Sequence, residues 1–106
     1  MNEALIREQA ARARREFLRW VLLLTMNISR PTPAQLRLLV QVAQGEYPDC
    51  TDLEVRRELQ YLQERDLCHV EKDPLGYVSA TLTRHGVDVA EYTVAVEPGI
   101  ARPTKV

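Results

Sequence analysis

Along the first thirty positions, apolar and small residues fall at Ile6, Ala10, Ala13, Phe17, Trp20, Leu24 and Ile28. Steps of three and four mark one face of a helix. No Gly or Pro interrupts residues 2–28, so the pattern predicts one helix, about 40 Å long at 1.5 Å per residue. Its first half is rich in Ala, Arg and Glu, with a narrow apolar stripe. Its second half, from Phe17 to Ile28, is apolar nearly all round. The second half is expected in the core, and the first half projects or covers a partner. Two copies packed together would account for such a long helix, and so would a helix draped over its own domain.

Pro31 and Pro33 end this pattern. Thr32-Pro33-Ala34-Gln35 reads as a helix start, with Thr32 as cap, Pro33 in the first turn and Gln35 completing a capping box. Leu36, Leu39, Val40 and Ala43 then mark a helix over 33–44, stopped by Gly45. A loop at 46–50 leads to a second capping box, Thr51-Asp52-Leu53-Glu54. Val55, Leu59 and Leu62 form the inward face of a helix over 52–65. Residues 67–72 and 77–82 read as strands joined by the turn Asp73-Pro74-Leu75-Gly76. Thr83 caps a last short helix running to Tyr92, and residues 93–106 form an irregular tail.

Helix, helix, helix, hairpin, helix is the order of a winged helix-turn-helix. The expected class is mainly α with a small β-hairpin: a long helix over 1–30, the winged unit over 31–92 and the tail, all in one domain. In that arrangement the 52–65 helix would read DNA. Placed at 100° per residue with Val55, Leu59 and Leu62 inward, it turns Leu53, Glu54, Arg57, Gln60, Tyr61 and Glu64 outward, with Arg56 and Gln63 on the flank. Arg57 and Gln60 are candidates for the major groove, and Arg56, Gln63, Lys72 and Arg84 for phosphates. Ile6, Ala10, Ala13, Phe17, Leu53 and Tyr61 are candidates for a dimer or partner surface.

Charge complicates this reading. The 106-residue chain has 14 Lys+Arg and 15 Asp+Glu, net -1. The 52–65 helix is itself net -1, a poor footprint for phosphates. Residues 7–19, with Arg7, Arg12, Arg14, Arg15 and Arg19 against Glu8 and Glu16, carry +3. They could meet nucleic acid or an acidic partner, or form a solvated face.

Cys50 and Cys68 read as reduced thiols of a cytoplasmic protein. With His69 and His85 they show no metal-ligand spacing. No catalytic constellation and no Gly-rich phosphate loop stands out, so neither enzyme activity nor a cofactor is expected. The apolar run at 17–28 is too short for a membrane span.

Val55 to Leu67 resembles the recognition helix and strand entry of winged-helix regulators, and Leu82-Thr83-Arg84-His85-Gly86 resembles their strand exit. The Leu/Arg-rich first helix, the run from Arg56 to Leu62, the ending Gly86–Thr93 and the tail Glu97–Pro103 resemble a family of small proteins from Mu-like transposable phages and prophages. That resemblance implies a winged-helix fold and a phage or prophage origin. Two functions follow as expectations: a dimeric DNA-binding transcription regulator acting on double-stranded DNA, or a winged helix that contacts a phage or host protein.

Overall fold

The computed structural model describes residues 2–105. The first helix, α1 (Glu3–Ser29), is a single 27-residue element, as its unbroken sequence requires. Asn2 caps it, its side-chain oxygen accepting from the Leu5 N–H at 2.8 Å. Pro31 ends it, because the residue before a proline is pushed out of the helical region, and Arg30 is extended at φ -56, ψ 144.

The stripe expected to mark the core face lies elsewhere. Of its residues only Trp20 is buried; Ile6, Ala10, Ala13, Leu24 and Ile28 are exposed, and Phe17 is half-buried. Leu18, Leu22, Leu23 and Met26 enter the core instead. Residues 17–28 are apolar on nearly every side, so their periodicity did not fix which side turns inward.

The start of the second helix also differs. Ala34–Gln35 is a short strand, β1, and α2 runs from Leu36 to Glu46. Gln35 makes no side-chain cap bond. Ala34 pairs with Ala80 and Gln35 with Ser79, which gives these residues a partner that a helical first turn would deny them. Gly45 does not end α2; it sits inside the helix, which closes at Tyr47, whose N–H donates to the Ala43 carbonyl. Next, α3 (Asp52–Glu64) begins at Thr51, whose hydroxyl accepts from the Glu54 N–H at 3.1 Å. The reciprocal half of the capping box is absent, because the Glu54 carboxylate is turned to Arg14.

The hairpin pairs β2 (Cys68–Lys72) with β3 (Val78–Leu82), and the sheet order is β1-β3-β2, all antiparallel. Its tip is rigid. Asp73 Oδ1 accepts from the N–H groups of Leu75 and Tyr77, both at 2.9 Å, and Gly76 supplies the positive φ of 91°. Thr83 caps α4 (Arg84–Ala90), shorter than expected by two residues. The tail is irregular and lies on the body: Ile100 is buried, the Ala101 N–H donates to the Glu16 carbonyl at 3.0 Å, and Arg102 donates to the carbonyls of Val89 and Val94. Among the described residues, no helix is long and apolar enough to cross a membrane. Cys50 and Cys68 are buried free thiols, pushed up to about 11 and about 12 by burial.

Gly86 is where α4 meets the strand entry. A Cβ there would stand 2.0 Å from the Leu67 carbonyl oxygen, whereas at Gly45 it would meet nothing within 4 Å. Gly86→Ala should therefore cost about 1–3 kcal/mol in urea unfolding, while Gly45→Ala should stabilise by about 0.5–1 kcal/mol. Equal behaviour of the two variants would contradict the packing of α4.

Candidate nucleic-acid interface

The charges of α1 and α3 answer each other. Arg14 grips Glu54 in a fork, Nε to Oε2 and Nη2 to Oε1, both at 2.8 Å, and its third nitrogen reaches Asp49 at 2.8 Å. Arg19 Nε donates to Glu58 Oε1 at 2.7 Å, with both side chains about nine-tenths buried. Its Nη1 donates to the Gly99 carbonyl at 2.8 Å. The guanidinium carbons of Arg19 and Arg65 each lie 3.4 Å from the Tyr61 ring centroid. Arg12 pairs with Glu16 and Arg7 with Glu3 along α1.

The basic stretch of the first helix is thus largely neutralised within the molecule. Two acids that made α3 a poor phosphate surface, Glu54 and Glu58, face α1. Glu54 and Tyr61 were expected to point outward and do not: Glu54 is held by Arg14, and Tyr61 is half-buried in the arginine stack. The hydrogen bonds from Arg14 hold the Glu54 carboxyl below its usual range and raise Arg14.

The opposite flank of α3 forms a groove against the hairpin of about 260 Å³, lined by Arg56, Gln60, Gln63 and Lys72 over an apolar floor that includes Leu59 and Val70. Four of the predicted DNA-contact residues therefore come together. Gln63 is partly committed, because its Oε1 accepts from the Val70 N–H at 2.6 Å. Arg56 pairs along the helix with Asp52. An adjoining groove shares Arg56 and Val78 and adds Gln35, Arg37 and Tyr77. Two predicted residues stand apart from both grooves. Arg57 lines a separate cleft beside Ala11, Arg15 and Leu53. Arg84 sits on α4, its guanidinium 3.5 Å from Asp88.

Arg37 and Tyr77 were missed from sequence. Placing the start of the second helix at Pro33 hid Arg37, which in fact lies in the first turn of α2. Tyr77 was read as the first residue of a strand; it is 65% exposed at the end of the wing tip. The surface candidates divide as well: Ile6, Ala10, Ala13 and Leu53 are exposed, and Phe17 packs edge-on against Tyr47 with centroids 6.5 Å apart. Among the described residues, no cluster of His, Cys, Asp and Glu could hold a metal ion.

No protein-family model matches the sequence, and no curated protein matches it. The fold is similar to the crystal structure of a presumed DNA-binding protein from Ralstonia eutropha JMP134, with a TM-score of 0.61 and 24% sequence identity over 74% of this chain and 95% of the other. With the element order and sheet topology described above, the likeness shows a winged-helix fold.

The two α1–α3 contacts differ in burial, and substitutions should separate them. Glu58→Ala strands a buried guanidinium and should cost about 3–5 kcal/mol at pH 7; a loss below about 1 kcal/mol would count against a buried pair. Glu54→Gln should cost about 1 kcal/mol. The Glu54 contribution is fully present above the unfolded carboxyl pKa, about 4.3, because folding depresses it. It is lost as pH falls through the lower folded value. Urea titrations of Glu54→Gln and wild type should therefore converge in acid, and a constant gap from neutral pH to acid would refute this.

Proposed function

We propose that the protein binds duplex DNA, with α3 and the β2–β3 wing as its contact surface. One observation carries this reading: the ion pairs with α1 draw Glu54 and Glu58 away from the flank of α3 where Arg56, Gln60, Gln63 and Lys72 line one groove. On that flank Gln60 and Arg56 are the candidates for base edges, and Lys72 and Arg37 for phosphates. The similarity in fold to the presumed DNA-binding protein of Ralstonia supports the same reading. The resemblance to proteins of Mu-like phages supports a phage- or prophage-encoded regulator of transcription. Binding, not catalysis, is the role proposed.

A second reading has its own support. Asp52 and Glu71 stand among the cations of the two grooves, and Leu53 and Leu75 are 55% and 82% exposed. A winged helix that docks on a phage or host protein would use such a surface.

Titration of a labelled duplex by anisotropy at several salt concentrations separates the two. DNA binding predicts that log K falls linearly with log salt, and that Lys72→Ala and Arg37→Ala each lower the slope by about 0.9. Arg84→Ala should leave it unchanged. Absence of duplex binding at about 50 mM salt, where phosphate contacts are strong, would reject DNA as the ligand and favour a protein partner.

A further inference from the structure

The chain's 14 Lys and Arg residues divide unevenly between internal partners and solvent. Half of them pair with a carboxylate within or between helices. Arg65 and Arg102 donate to backbone carbonyls, and Lys105 lies over the Tyr92 ring. Among the described residues, Arg15, Arg37, Arg57 and Lys72 are left with no such partner, and all of them are exposed. They are not scattered: each lines a groove beside α3. Lys72 and Arg37 stand on its wing side. Arg15 and Arg57 line a cleft of about 350 Å³ on its α1 side, together with Ala11, Arg14 and Leu53. The acids of that cleft, Glu54 and Glu58, are engaged by Arg14 and Arg19, so they do not offset Arg15 and Arg57.

We propose that the α1–α3 cleft is a second backbone subsite for duplex DNA, with Arg15 and Arg57 on phosphates of the strand opposite to the one met by Lys72 and Arg37. The inference rests on the DNA-binding reading of α3 and the wing, and extends it to a helix outside the winged unit. A helix with its side chains is about 10–12 Å across and fills a major groove about 12 Å wide. One phosphate strand then runs along each flank of the helix. Cations on the wing side alone would meet only one of them.

The rotation of α3 fits this two-sided grip. At 100° per residue, Arg57 lies about 60° from Gln60 on the side of α1, whereas Arg56 and Gln63 turn to the wing. Gln60 therefore stands between two cationic edges, where base edges would lie. Glu64 falls within about 20° of Arg57, two turns on, and confines the α1-side edge to the first half of α3, the part that reads bases in helix-turn-helix complexes. Arg15 is held in place by its neighbours in α1: Arg14 and Arg19 bind Glu54 and Glu58 and fix α1 against α3. An acidic protein segment would need only one such edge; a duplex needs both.

The salt dependence of duplex binding counts phosphate contacts. Arg15→Ala and Arg57→Ala should each lower the slope of log K against log salt by about 0.9, on two duplexes of unrelated sequence alike. Both side chains are exposed, so cooperative urea unfolding should persist. Arg12→Ala, on the same helix but paired with Glu16, should leave the slope unchanged. If Lys72→Ala and Arg37→Ala lower the slope while Arg15→Ala and Arg57→Ala do not, the α1 subsite is overturned and the α3–wing surface stands. A loss at Arg57→Ala confined to one sequence would make Arg57 a base reader and would also overturn the subsite. Absence of duplex binding by the wild type at about 50 mM salt would overturn both.

Discussion

Arg19 sits where α1, α3 and the tail meet, with its charged head almost out of water. A guanidinium in that position must have its donors satisfied, because an unpaired buried charge costs several kcal/mol. Glu58 supplies one acceptor, the Gly99 carbonyl another, and the Tyr61 ring covers the plane. Those partners come from two further segments of the chain, so the position of each segment is tied to one side chain. Gly99 shows how close the fit is: with φ at +104°, a Cβ there would stand 2.1 Å from the Tyr61 hydroxyl. Arg14, one turn earlier, repeats the arrangement at the surface end with Glu54 and Asp49.

Locking α3 by its acids sets its rotation. Once Glu54, Glu58 and Tyr61 face α1, and Val55, Leu59 and Leu62 face the core, the remaining sector belongs to Leu53, Arg57, Gln60 and Glu64, with Arg56 and Gln63 turned to the wing. The helix is net negative by count, yet its wing-side flank is not. Two of its four acids, Glu54 and Glu58, are drawn to α1 by Arg14 and Arg19, while Asp52 pairs with Arg56. The same ion pairs remove Arg14 and Arg19 from the molecule's outer surface, so the first helix is far less basic to a ligand than its composition.

Much of this was legible in the residues. Thr51 and Thr83 act as the caps their positions indicated, because a hydroxyl before a helix start has a local partner available. The hairpin followed from its alternation and from Asp73-Pro74-Leu75-Gly76. Four features were not legible, for different reasons. β1 has only two residues, too few to show any period, and its identity rests on a partner strand more than forty residues away. The face of α1 was ambiguous because its second half is apolar on both sides. The roles of Glu54 and Glu58 depend on arginines some forty residues earlier, and no local rule links a carboxylate to so distant a cation. Arg37 disappeared with the misplaced boundary of the second helix.

The acceptors of Arg19 are separated from it by 39 and 80 positions along the chain. During synthesis, at roughly 5–20 residues per second, the arginine precedes Gly99 by about 4–16 s. Through that interval the cation lacks one of its final acceptors. The last stitch of this small domain is also one of its earliest demands, so its native structure waits on the tail rather than being built up in the order of the chain.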